Sequence, residues 1–404
     1  MLSYLSKTSG IGGTIKSKPD DFIVEEISGD GSVLEIDKNI VRADEAGKFT
    51  HFILQKNNWS TSSAIHEIGK RLGVGKKSMS FAGTKDKIAI STQLASVFNI
   101  SKEKLLSVRI KDIQINGAWY ANDKVRLGQL LGNRFTITIR DATKNSIKII
   151  PKIVNKLDGS FPNYFGEQRF GSTRKNTHLI GEKILRGELK DAVNLFLCDI
   201  GAESNELTNE ARKELRDSGD YCRALKTYPK YLKLERTMLS YLASHPDNHA
   251  NALRSLPRPT LLLFVHAFQS HLFNELLSKR VKDGNLELEQ GEYYCGETFG
   301  FPDILKSKAE GWAVGKIIGY NTPLNRCEKQ LLDEVGIKKE DFKIKSIPEI
   351  ALKGTYRTLL APLKDFSFDT LSDVDNSKCS ALFKFELPAG SYATVVMREF
   401  IDSK

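Results

Sequence analysis

Residues 81 to 93, Phe81-Ala82-Gly83-Thr84-Lys85-Asp86-Lys87-Ile88-Ala89-Ile90-Ser91-Thr92-Gln93, set one carboxylate between two lysines where two strand-like runs meet. Lys85 and Asp86 are poor strand residues and Gly83 permits a tight turn, so Asp86 is expected at a turn tip between two strands. The flanking ammonium groups of Lys85 and Lys87 favour the ionised carboxylate. A nucleophile or general base needs that form. Taken alone, the pattern more often marks a solvated hairpin tip. A second stretch changes the weighting: Asn163-Tyr164-Phe165-Gly166-Glu167-Gln168-Arg169-Phe170-Gly171 packs aromatics, amides, an arginine and glycines together. That mixture suits a pocket that stacks on a base and hydrogen-bonds its edge. It is equally the composition of a glycine-hinged loop whose rings plug a core.

Elements of ordinary periodicity must position these residues. Phe22–Ile27 and Phe49–Leu54 read as short strands, and Arg134–Arg140 alternates as a half-buried strand should. Ser60–Leu72 carries Ile65, Ile68 and Leu72 at helical spacing behind a Ser/Thr cap. Ile147–Leu157 reads as an amphipathic helix broken or started near Pro151. Beyond residue 185 helical spacing dominates. Leu261, Val265, Phe268, Leu272 and Leu276 form one stripe that ends at Lys279-Arg280, as a helix C-terminus prefers. Gly-punctuated aromatic and β-branched stretches between Gly291 and Tyr320 predict a small sheet within the helical segment. Strand character returns at Leu382–Leu387, followed by a Pro388-Ala389-Gly390 turn and a helix over Tyr392–Ile401. A strand-rich start and end around a helical middle suggest one core domain interrupted by another; three domains in a row remain the alternative.

Composition bounds the function classes. The chain has 404 residues, of which 40% are hydrophobic and 27% charged, enough for two or three folded domains. Lys plus Arg exceed Asp plus Glu by 60 to 50, a surplus that suits a polyanion, nucleic acid ahead of membrane. The five cysteines (Cys198, Cys222, Cys295, Cys327, Cys379) form no CxxC pair and read as buried thiols of a reducing compartment. His245 and His249 share an i, i+4 spacing, but Pro246 between them favours a loop or cap over a metal site. Residues 1 to 13 lack the pattern of a signal peptide, and the apolar run Leu261–Ala267 is far short of a membrane span. A soluble, cytoplasmic protein is expected.

Four segments in order resemble the TruD family of tRNA pseudouridine synthases. They are Lys16 with Pro19-Asp20-Asp21-Phe22-Ile23-Val24-Glu25-Glu26, then Phe81–Gln93, Asn163–Gly171, and Leu387–Thr394 with Arg398-Glu399. Leu127–Phe135 adds a further match. The resemblance implies an α+β fold: a mixed-sheet catalytic domain of the pseudouridine synthase type (residues 1–189 and 351–404) interrupted by a TruD-specific helical/β insertion (190–350). It implies a monomeric enzyme that converts uridine to pseudouridine at position 13 of the D-arm of tRNA, with no metal or cofactor and no membrane partner. Asp86 is then the catalytic nucleophile. Phe22, Asn163, Phe165, Tyr392, Lys16 and Lys85 are its substrate-pocket residues, with Phe165 stacking rather than moving protons, and Lys85 lowering the pKa of Asp86 or touching phosphate. Tyr392 stands where the family usually has phenylalanine. Arg398 is expected to cap its own helix or to pair with a nearby carboxylate. Lys76, Lys77, Lys87, Arg169, Arg174 and Lys175, with Lys70 and Arg71, are candidate phosphate contacts. Two other readings stay open: a non-catalytic RNA-binding or assembly protein of the same fold, and an aspartate-dependent hydrolase.

Overall fold

The computed structural model describes residues 2–171, 173–201, 205–288, 293–295, 305–306, 311–372 and 379–402. Contacts divide them into two compact units: residues 5–161 with 360–402, and residues 2–4 with 162–359. The crossings at 161/162 and 359/360 compare with sequence-based boundaries of 189/190 and 350/351.

The first unit is built on a sheet. In chain order it holds β1 (Phe22–Ser28), β2 (Phe49–Asn57), α1 (Thr61–Leu72), β3 (Met79–Phe81), β4 (Ile90–Phe98), α2 (Lys102–Leu106), β5 (Ile113–Ala121), β6 (Leu130–Ala142), α3 (Ser146–Leu157) and β7 (Ser160–Pro162). The second unit contains α4 (Thr177–Arg186), α5 (Leu189–Cys198), α6 (Glu206–Ser218), α7 (Tyr221–Thr227), α8 (Lys233–Ser244), α9 (His249–Arg254) and α10 (Arg258–Asp283). It continues through β8 (Tyr293–Cys295), β9 (Leu305–Lys306), β10 (Trp312–Ile317), α11 (Arg326–Glu334) and β11 (Thr355–Thr358), and its four strands form one sheet. The chain then re-enters the first unit as β12 (Leu360–Pro362), β13 (Lys364–Ser372), β14 (Cys379–Pro388) and α12 (Ala393–Ile401).

The main sheet runs β13-β14-β6-β1-β4-β2-β5, with β3 added alongside β4. Its two ends of sequence therefore share one sheet, β14 lying antiparallel to β6 from Cys379↔Ala142 to Pro388↔Gly132. The β1–β4 pair is parallel and the neighbouring β1–β6 and β2–β4 pairs antiparallel, a mixed sheet. Register fixes which side chains share a face. Val24 pairs with Ser91, and Ser91 with Lys56, so Phe22, Val24 and Glu26 lie on the face that carries Gln93, Leu54 and Lys56. α1 covers this face with Ala64, Ile65, Ile68 and Leu72 against Phe52, Leu54, Ala95 and Val97. Each fully buried Ile, Leu, Val or Phe of this set stabilises by roughly 1.5–3 kcal/mol. Ser60 starts α1 by accepting from the Ser63 amide, and Gly73 closes it in a left-handed conformation.

Several sequence expectations need correction. β2 continues past Leu54 to Asn57. Pro151 lies inside α3 rather than breaking it; the Ile147 carbonyl that it leaves without a helical donor belongs to an exposed residue of the first turn. α10 runs well beyond its apolar stripe, to Asp283, and is capped by Gly284. All five cysteines are free, but Cys222 is exposed and Cys327 half-buried, so only Cys198, Cys295 and Cys379 are the expected buried thiols. His245, by contrast, is the C-cap that follows α8 and His249 begins α9, the loop-or-cap placement expected of this pair.

Candidate active site

Asp86 lies on the loop between β3 and β4, as its position between two strand-like runs required. The loop has its own anchors. The Lys85 amide donates to Thr61 Oγ1 at 2.9 Å, and the Thr61 hydroxyl donates onward to Gln93 Oε1 at 2.9 Å. Gln93 Nε2 in turn donates to the Gly83 carbonyl at 2.9 Å. Lys56 Nζ donates to the main-chain carbonyl of Asp86 at 2.6 Å. Gly83 takes no left-handed backbone, and a Cβ there would meet nothing nearer than Lys85 Nζ at 3.5 Å. Side-chain hydrogen bonds, not glycine's freedom, shape this loop.

The lysine that meets the Asp86 carboxylate is not its sequence neighbour Lys85. The Lys85 ammonium turns to Glu26 Oε2 at 2.6 Å, in an ion pair whose partners are almost wholly buried. Glu26 Oε1 also accepts the Leu94 amide. Beside the Asp86 carboxylate stands Lys16 instead, bonded to Oδ2. The same ammonium sits 4.1 Å from the centre of the Phe22 ring, a cation–π contact. About a quarter of the Asp86 side chain stays exposed (26%), leaving an approach to the lysine-paired carboxylate. Lys16 reaches this point from a left-handed backbone, φ 59°, unusual for a residue with a Cβ. Its segment is held by reciprocal main-chain bonds between Thr14 and Arg140. Arg140 also grips the buried Asp21 carboxylate through Nε and Nη2, at 2.6–2.9 Å. Phe22 is buried and meets Phe135 edge-on at 6.1 Å.

In the second unit, Asn163 is fully buried. Its Nδ2 donates to Thr358 Oγ1 at 2.7 Å, while Arg357 donates to its Oδ1 at 2.6 Å and to its carbonyl at 2.8 Å. The Arg357 guanidinium, itself fully buried, lies 4.2 Å from the Phe165 ring centre. Asn274 of α10 clasps the Phe165 main chain, accepting from its N–H at 2.8 Å and donating to its carbonyl at 2.9 Å. Arg169 lies over the same ring at 5.7 Å and donates to Ser270 Oγ.

The family description tRNA pseudouridine synthase D (TruD) matches residues 1–400. The chain is 35% identical to a Thermococcus sibiricus protein over 98% of its own length and 97% of that protein. It is 37% identical to a Methanococcus vannielii protein over 98% and 97% respectively. Both relatives carry the name "Probable tRNA pseudouridine synthase D". The crystal structure of the TruD protein of Methanosarcina mazei superposes with a TM-score of 0.79 at 31% identity, covering 98% of this chain and 95% of that one. The chain belongs to the TruD family of tRNA pseudouridine synthases. Its fold is the mixed α/β architecture of that family.

Against this family background, the remaining sequence-selected residues are placed as follows. Tyr392 caps the start of α12, half-buried. Arg398, in the last turn of α12, lies 3.8 Å from the carboxylate of Asp402, the C-cap residue of that helix. Lys70, Arg71, Lys76, Lys77, Lys87 and Lys175 are exposed. Lys175 pairs with Glu167. Arg174 is spent internally on the Phe196 carbonyl and on Glu235. Sequence reasoning passed over Lys56, Thr61, Gln93, Asn274 and Arg357. For Lys56 a signal existed: continued alternation past Leu54 would have put it on the Phe52 and Leu54 face. Arg357 lies 194 positions from Asn163, and no local pattern announces it. Among the described residues there is no cluster of three or more metal-ligating side chains. No described helix is long and apolar enough to cross a membrane.

Proposed function

We propose that this member of the family isomerises uridine 13 in the D-arm of tRNA, with Asp86 as the nucleophile. The family supports the coarser statement, uridine-to-pseudouridine isomerisation in tRNA. One observation carries the finer one: a partly open carboxylate, paired to Lys16 next to the buried Phe22 ring, on a loop whose main chain is hydrogen-bonded from three sides. Attack requires a carboxylate in its charged form, and the Lys16 ammonium is the counter-charge beside it. The reaction breaks the N1–C1′ bond, rotates the uracil and joins C5 to C1′. The C5 proton is lost and N1 gains one, so substrate and product are isomers. Attack at C1′ or at C6 begins from the same ionised Asp86. The target base must leave its stack, costing a few kcal/mol, roughly, that contacts to the flipped nucleotide offset.

In this reading Phe22 and Tyr392 contact the nucleotide, Lys16 holds the charge of Asp86, and Lys85 acts through its pair with Glu26. Asn163 and Phe165 recognise the target base. Lys76, Lys77, Lys87, Arg169 and Lys175 supply phosphate contacts, whereas Arg174 braces its own segment through the Phe196 carbonyl and Glu235. The protein works in the cytoplasm as a monomer and its chemistry calls for no metal or cofactor. Nucleotide-resolution mapping of pseudouridine in tRNA transcripts treated with purified protein tests this directly. Pseudouridine should form at position 13 and vanish when that uridine is replaced by cytidine. Modification only at other positions would refute the site assignment, and bound but unmodified tRNA would favour a non-catalytic RNA-binding protein.

A further inference from the structure

Lys56 is the penultimate residue of β2 and is fully buried. An ammonium in such a place is costly unless it has a specific partner. Here the described partner is the carbonyl of Asp86, at 2.6 Å. The Lys85 amide, on the other side of Asp86, is held by Thr61 Oγ1 at 2.9 Å. The main chain is thus fastened on both sides of the residue whose carboxylate meets Lys16.

We propose that Lys56 is a positioning residue for Asp86, fixing the residue 86 carbonyl so that the carboxylate leaves the main chain toward Lys16 and Phe22. This inference rests on the reading of Asp86 as nucleophile. A methionine would fill nearly the same volume without burying a charge, so packing alone gives no reason for a lysine here. Burial pulls the Lys56 pKa down from 10.5 to about 8; the Asp86 charge opposes that shift and Lys85 adds to it. The groups around it are few. Ser91 of β4 and Ile113 of β5 flank it in register. Glu26 of β1 is bonded to Lys85, and Lys16 to Asp86. The buried side of α1 brings Thr61, Ala64, Ile65 and Ile68, none of which titrates. The charge-assisted bond from Lys56 therefore weakens as pH rises through about 8.

The test uses full-length protein and a tRNA transcript under single-turnover conditions. Lys56→Met should keep tRNA affinity within about twofold and the thermal midpoint at or above that of the wild type at pH 7. Its rate should fall on the order of 10- to 100-fold, the scale of a small misplacement of a reacting group. The wild-type rate should decline above pH 8, and the residual rate of Lys56→Met should lack that limb. A folded Lys56→Met with the wild-type rate overturns the proposal. If this variant does not fold, the wild-type profile decides: a decline centred near pH 8 supports the proposal and a flat rate from pH 7 to 9.5 overturns it. Asp86→Asn separates the two claims. If that variant is active, the nucleophile reading fails and this inference with it. An inactive Asp86→Asn beside a fully active Lys56→Met removes only the role of Lys56.

Discussion

Around Asp86 the hydrogen bonds converge on the main chain and leave the carboxylate partly open; around Asn163 they consume the side chain itself. The Asp86 loop draws its anchors from a strand face and a helix start: Lys56, Gln93 and Thr61. The Asn163 segment draws its anchors from a buried arginine on β11 and an asparagine on α10. One region presents a reactive group from a fastened backbone, and the other fastens the groups themselves. Residues of equal prominence in a sequence motif can thus have their hydrogen-bonding groups committed in different ways.

Replacing residues on either side tests that contrast. Lys16→Met removes the cation from Asp86 and should slow single-turnover isomerisation on the order of 100-fold with little change in tRNA affinity; a change in affinity alone would place Lys16 on phosphate instead. Arg357→Met leaves the Asn163 carbonyl and Oδ1 without a charged donor inside the second unit. It should cost roughly 2–4 kcal/mol in denaturant unfolding, while hydrogen exchange at the Asp86 loop stays as in the wild type.

The two units should also answer to opposite ends of the pH scale. His178 in α4 is held neutral by burial, with a smaller push from His271, and its pKa falls to about 4 from 6.5. The unfolded chain binds that proton first, so the stability this group contributes is complete above pH 6.5 and is lost as pH falls toward 4. The loss is at most about 3 kcal/mol, and urea titrations of His178→Phe should show a flatter acid limb. Lys56 also has a lowered pKa, and its unfolded form likewise keeps the proton longer, so stability from the first unit rises between pH 8 and 10.5. The smallest expected effect is at the surface. Lys76→Ala with Lys77→Ala should weaken tRNA binding several-fold and reduce the salt slope by about 1–2, with the rate at saturation unchanged.

How much of this was legible before folding depended on distance along the chain. Alternation located β6 and β14, a short strand-like run located β1, and the Ser60 cap located α1, because those signals are local. Lys85 shows the limit. Next to Asp86 in sequence, it is expected to lower the pKa of that carboxylate or to touch phosphate, but neighbouring residues of an extended loop point to different sides. Lys85 therefore pairs with Glu26, and Lys16, 70 positions away, takes its place. Lys56 was hidden because a polar Gln55-Lys56 pair looks like the end of a strand, whereas the register continues to Asn57↔Ile90.

The central claim is that the Asp86 carboxylate performs the chemistry. Asp86→Asn keeps the side chain's shape and the carbonyl that Lys56 holds, and removes the charge together with one acceptor oxygen. Measured by single-turnover pseudouridine formation alongside tRNA affinity, it should bind tRNA within a few-fold of the wild type and form no detectable pseudouridine. Pseudouridine formation at the wild-type rate would contradict the account.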